Sequence, residues 1–351
     1  MNPGEIWWGQ IGNALRLLTA MNHSLRDCRS AVLQLPVRLP WRQTFRDTAA
    51  IRRTALGDNR SLTTIPWQEG RDPGDFSLNQ LCSRQVRANY YPGWSCAAYL
   101  GGLGDLSLNE QNIWITGIHR REDIQRWITF LAEYERTAAQ LPSRAVFLLE
   151  YDGPAVPGGS VELLNFTVED YDCRVFCLES GAALKNAALR EYQAELALRI
   201  GGGDPELSWH LLRTGEDLIE DPVRTALDVV SKCRNSEGRS FPQLTEQQIA
   251  SAAWRAALVT LLPILEQWRM DFVARHEPEL FRHLPIQNSN GEKVTDPYDL
   301  ELGALFFISR QPGSSFSPED RARIELCREA RNKLAHNKIL SREEAKAILK
   351  L

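Results

Sequence analysis

An α/β domain with a largely parallel sheet, followed by an all-α helical bundle, is the architecture this sequence predicts. Three observations carry it. Apolar runs of strand length alternate with helix-period segments up to about residue 200. Gly201-Gly202-Gly203-Asp204-Pro205 then interrupts the pattern with three flexible residues and a helix starter. Beyond it nearly every segment has helical periodicity. The expected division is an α/β domain over 1–200, a linker over 201–205 and a helical domain over 206–351. A length of 351 residues suits two domains rather than one.

In chain order, residues 12–29 read as a helix with Leu15, Leu18, Met21 and Leu25 along one side. Residues 30–37 form a short apolar run that suits a buried strand. Helix returns over 41–53, a strand is expected over 61–67, and 72–84 reads as a capped helix. A Tyr- and Gly-rich loop spans 90–104. Strand 112–118, helix 121–140 and strand 145–150 follow, the last ending in Glu150 and Asp152. A Pro- and Gly-rich loop covers 153–159, a further strand is expected over 174–179, and an Ala- and Leu-rich helix over 181–200.

This order of elements is similar to that of P-loop or AAA-type ATPase cores. A working phosphate cradle is not expected, because the chain has no G-x-x-x-x-G-K-[ST] and no Gly-Lys pair. Glu150 and Asp152 are either metal-binding carboxylates or simply solvated ones. Recognition of a partner protein, ligand or nucleic acid is the expected role of the domain.

In the helical half, short helices are expected over 206–213 and 222–234, and a long one over 245–276 that Pro263 should kink or break. Residues 278–283 continue it. A polar loop over 287–298 carries the Asn290-Gly291 turn signal, and 299–309 is a short apolar helix. Residues 317–340 form the segment of greatest interest, with 341–351 a last amphipathic turn or two. Ser317 suits an N-cap, Pro318 the first helical position, and Glu319 and Asp320 the positive end of the dipole. Ile324, Cys327, Ala330 and Leu334 make a narrow apolar stripe. Arg331, Asn332 and His336 break that regularity on one helical turn.

An arginine, an amide and an imidazole so placed suit an RNA phosphodiester. The guanidinium can hold the phosphate as a permanently charged fork, and the imidazole can move a proton near neutral pH. No metal is needed if the ribose 2′-hydroxyl is the nucleophile. Arg331-Asn332-Lys333-Leu334-Ala335-His336 resembles the R-N-x-x-x-H signature of the HEPN superfamily of small helical-bundle domains. The resemblance spans about the last third of the chain. It implies metal-independent endoribonuclease activity with Arg331, Asn332 and His336 as catalytic residues. It further implies a site completed in a homodimer, and a place in bacterial defence or a toxin system, with the α/β domain sensing or docking a protein partner. Arg328, Lys333 and Lys338 are the expected RNA-binding cations. Two alternatives stand beside this: a helix end whose cations cap carbonyls or pair with Glu325 and Glu329, and a non-catalytic adaptor that keeps the bundle for dimerisation or RNA binding.

Net charge is −4 and the pI near 6.0, so any RNA site must be a local basic patch. Residues 321–350 supply one, with nine Arg and Lys against four Glu. No stretch apolar for the roughly 18 or more residues of a membrane span is expected, and so no membrane association, nor a signal peptide at the N-terminus. Seven scattered cysteines without a C-x-x-C pair point to reduced thiols and a cytoplasmic location, with Cys173 and Cys177 in the core. No cofactor or metal is expected. His276 and His283 do not complete H-E-x-x-H and read as surface or interface residues. Asp299 and Glu301 are placed either to orient Arg331 or His336, or to serve a helix dipole. The ten tryptophans either fill the core or stack on bases. Ser95 and Cys96 lack the surroundings of a hydrolase triad, with His119 the nearest histidine.

Overall fold

The computed structural model describes residues 2–55, 57–104, 106–156, 159, 161–181, 186–287 and 291–350. It divides into two compact units, Met1–Asp172 and Cys173–Leu351.

In the first unit, α1 (Pro3–Gln10) and α2 (Gly12–Arg26) precede β1 (Ala31–Gln34), α3 (Arg42–Ala55) and β2 (Ser61–Pro66). Then come α4 (Pro73–Leu81), α5 (Arg84–Asn89), α6 (Cys96–Gly102), β3 (Gln111–Ile118), α7 (Arg121–Ala138), β4 (Val146–Tyr151) and β5 (Glu162–Asn165). The five strands lie in the order β2-β3-β4-β1-β5, and every pairing is parallel. This is the α/β layer expected from the alternation.

Both faces of the sheet are covered, as parallel sheets require. Ile113, Ile115, Phe147 and Leu149 pack into a core with Trp67, Phe76, Trp127 and Tyr134 on one side. On the other, Trp114 meets Phe45 edge-on at 5.5 Å, and Phe45 packs at a tilt against Trp8 at 4.7 Å. The tryptophans of this unit are thus mostly core filling. Trp94 is the exception, 56% exposed in a small surface cluster with Tyr91 and Tyr99.

Two expectations fail here. Residues 174–179 are not a strand but the end of helix α8 (Asp170–Ser180), where Cys173, Phe176 and Cys177 recur at helical steps and are fully buried. The fifth strand is the earlier β5, whose half-exposed ELLN gives no clean apolar alternation. The loop 90–104 also holds a helix, α6, capped by Ser95, which accepts from the Ala98 amide at 3.3 Å.

α6 lies so close to α7 that a Cβ on Gly101 would sit 2.8 Å from the Tyr134 carbonyl oxygen and 2.9 Å from Thr137 Cβ. Gly101→Ala is therefore expected to destabilise the unit by about 1–3 kcal/mol through overpacking, measured by urea unfolding. A neutral or stabilising result would mean the helices can separate freely.

Asp123, fully buried in the first turn of α7, accepts from the Trp67 indole at 3.0 Å, the Gly70 amide at 3.2 Å and the Arg126 guanidinium. Burial raises its pKa, but these donors outweigh burial and hold the carboxyl below its ordinary 3.8. A depressed carboxyl adds stability that is fully present above the unfolded value and lost as pH falls through the folded one. Asp123→Asn is expected to destabilise at pH 7, with its deficit relative to wild type shrinking as the pH falls below 3.8. A pH-independent deficit in parallel urea titrations would refute this assignment.

The second unit is helical. After α8 come α9 (Ala187–Gly201), α10 (Pro205–Leu212), α11 (Asp217–Glu220), α12 (Pro222–Lys232) and α13 (Glu246–Phe281). A two-residue hairpin of β6 (Ile286–Gln287) and β7 (Lys293–Val294) precedes α14 (Leu302–Ser309), α15 (Pro318–Ala335) and α16 (Arg342–Ile348). Asn290 of the expected turn lies outside the described residues. The glycine run is a tight turn inside this unit: Gly202 ends α9 in the left-handed conformation, and Asp204 caps α10.

α13 runs through Pro263 as one helix, so of the expected kink or break the break does not occur. Pro263 and Pro278 both sit on its exposed side, where water can serve the freed carbonyls. Leu261, Leu265, Trp268 and Phe272 hold the buried side continuous. An 18-residue window of α13 has a mean hydropathy of 1.4, enough by length and composition to cross a membrane, and 39% of that window is buried in the fold. All seven cysteines are free thiols.

Candidate functional site

The helical unit presents its candidate site at the end of α15. Ser317 accepts from the Asp320 amide at 3.0 Å, so the helix begins as the sequence indicates. Ile324, Cys327, Ala330 and Leu334 are buried, and burial pushes the Cys327 thiol up to about 12. Trp254 of α13 donates its indole N–H to the Leu334 carbonyl at 2.7 Å.

The helix stops at Ala335, short of the expected residue 340, because Asn337 adopts a left-handed φ of 57°. The Lys338 amide then donates to the Lys333 carbonyl at 2.9 Å and the Asn337 amide to Leu334 at 3.3 Å, a complete Schellman closure. His336 is the C-cap, its amide donating to the Asn332 carbonyl at 3.1 Å, so it still lies one turn beyond Asn332.

Arg331, Asn332 and His336 are all exposed. Among the described residues neither the Asn332 amide nor the His336 ring has a hydrogen bond, and Arg331 has only a loose contact with Glu301 at 3.8 Å. The expected RNA-binding cations separate. Lys333 is committed to Glu344 of α16 at 2.5 Å. Arg328 stacks over the Phe306 ring, 3.6 Å from its centroid. Lys338 is exposed and has no side-chain partner among the described residues. His276 is wedged between Phe272 and Phe316 and faces Glu279 and Asp320 at 3.9 and 3.8 Å, while His283 meets Gln311 at 3.0 Å. Both have structural partners.

In the α/β unit, the chain leaves β1 and β4 toward opposite edges of the sheet, so the crevice beyond their carboxyl ends is the place for a ligand. It is filled by the protein's own charges. Glu150, 1% exposed, receives the Arg42 guanidinium at 2.5 Å and the Arg46 fork at 2.9 and 3.0 Å. Asp152 receives Arg42 at 3.2 Å and also meets His119 Nδ1. With two guanidiniums and an imidazole against them, these carboxylates are poor cation ligands, and no cluster of potential metal ligands occurs among the described residues. The sequence signal was Arg42 and Arg46 one turn apart in the first turns of α3, the helix after β1, where the chain carries arginines and no lysine-containing cradle.

No family model and no curated protein matches the chain.

Proposed function

We propose that this chain is a metal-independent endoribonuclease acting through the end of α15, with a place in bacterial defence or a toxin system. What supports it most is that Arg331, Asn332 and His336 emerge together on an exposed helix terminus with their polar groups essentially uncommitted. A structural helix end would engage these groups, as Lys333 is engaged by Glu344.

The ribose 2′-oxygen attacks the adjacent phosphorus, forming the O2′–P bond as the P–O5′ bond breaks. His336 takes the 2′-hydroxyl proton or delivers one to the leaving 5′-oxygen. Arg331 stabilises the pentacovalent phosphate, and Asn332 positions one of the two. One chain brings one such imidazole, so a homodimer supplies both proton transfers. The α/β unit, its own crevice filled, docks a protein partner or senses a signal.

The test is incubation of single-stranded RNA with purified protein in excess chelator, followed by analysis of the product ends. Cleavage leaving 2′,3′-cyclic phosphate and 5′-hydroxyl ends is expected. Absence of cutting, with or without the natural partners, would favour the non-catalytic adaptor instead.

A further inference from the structure

Beside Arg331 the helical unit has a cavity of about 310 Å³ whose other walls are Glu266, Arg269, Tyr298, Asp299 and Glu301, with Leu300 and Leu302 beneath. Its shape is fixed from below. Arg269 donates to the Tyr298 and Leu300 carbonyls, each at 3.1 Å, and to Glu266 at 2.8 Å, clamping the short turn Pro297–Asp299 onto α13. The groups outside that clamp are a Tyr298 ring that is 38% exposed, the Asp299 and Glu301 carboxylates, and Arg331. Glu301 stands at the N-cap of α14 yet makes no side-chain capping bond, so the helix start does not account for it. Neither carboxylate has a hydrogen bond among the described residues, and the one ion pair either of them makes there is that of Glu301 with Arg331 at 3.8 Å.

We propose that this cavity holds a guanine base of the RNA next to the cleaved bond. The proposal rests on RNA being the substrate of the Arg331 site. The cavity is wide enough for a planar base, Tyr298 offers a face to stack on, and Arg331 on the rim keeps its charge for the phosphate. The two carboxylates that line it, Asp299 and Glu301, are acceptors only. Uracil presents two carbonyls around a single N–H, and adenine and cytosine each set an amino group beside a ring acceptor. Guanine alone presents N1–H and N2–H₂ side by side, matching both oxygens of one carboxylate. Glu301 is the recognising residue and Asp299 the second acceptor.

The experiment uses a short RNA with one guanosine, made uncuttable by 2′-deoxy sugars at that nucleoside and its neighbours, and its inosine counterpart, which lacks the N2 amine. Binding to the full-length protein is read by fluorescence anisotropy. The guanosine strand is expected to bind about tenfold tighter or more. Glu301→Gln should abolish that difference without changing the melting temperature. Equal binding of the two strands, no binding of either, or a preference that survives both Glu301→Gln and Asp299→Asn, overturns the pocket. Cut sites on unmodified RNA are mapped alongside. Cutting without a guanine bias also sinks the pocket, whereas a guanine preference in a protein that never cuts sinks only the nuclease.

Discussion

Replacing His336 with alanine is expected to slow RNA cleavage by about 10²–10⁴-fold, the range a positioned proton donor or acceptor contributes. Its melting temperature should not move. The two parts of that prediction come from separate atoms of the residue. The ring is exposed and makes no hydrogen bond among the described residues, so its loss removes no packing. The backbone amide, which donates to the Asn332 and Lys333 carbonyls and helps close the helix, is kept by alanine. Single-turnover cleavage rates with circular dichroism melts would measure both. Arg331→Lys is the companion variant: it retains a positive charge but loses the planar fork, and should fall well below wild type if the guanidinium grips the phosphate through two bonds. Wild-type cutting by the His336 variant would remove the imidazole from the chemistry.

The largest stability effect is expected from Glu150→Ala, a loss of about 3–5 kcal/mol in the α/β unit. Arg42 has a side chain only 11% exposed, and its guanidinium is divided between Glu150 and Asp152. Removing Glu150 leaves that charge with half its compensation in a place water reaches poorly. Arg46, at 26%, can turn outward and suffers less. The double replacement Arg42→Met with Glu150→Leu should recover part of the loss, since it removes the charge together with its partner. Urea unfolding of wild type, single and double variants gives the comparison. A single variant as stable as wild type would show that water already enters the crevice.

What the sequence made legible follows from how locally each feature is encoded. Strands β3 and β4 are buried on both faces and read as continuous apolar runs, so their positions are close to those expected. β5 is a half-exposed edge whose partner, β1, lies far back in the chain, and nothing in ELLN by itself announces a strand. The RVFCLE segment has strand-forming residues, but Cys173, Phe176 and Cys177 are spaced for a helix and tertiary burial decided the matter. At the motif, the apolar stripe and the N-cap of α15 were readable, whereas its termination depended on Asn337 taking a left-handed conformation. The partners of the motif's neighbours were not readable at all: Glu344 claiming Lys333, or Phe306 lying under Arg328, are long-range choices set by packing.

The indole of Trp254 has a consequence for timing as well as for shape. Its grip on the Leu334 carbonyl roots the last turn of α15 in the longest helix of the molecule. Fraying there must first break this bond, so His336 inherits stiffness unusual for a residue at a helix tip. In the proposed nuclease, an imidazole so held would meet a transient geometry repeatedly, and the aromatic anchor would serve a reaction it never touches.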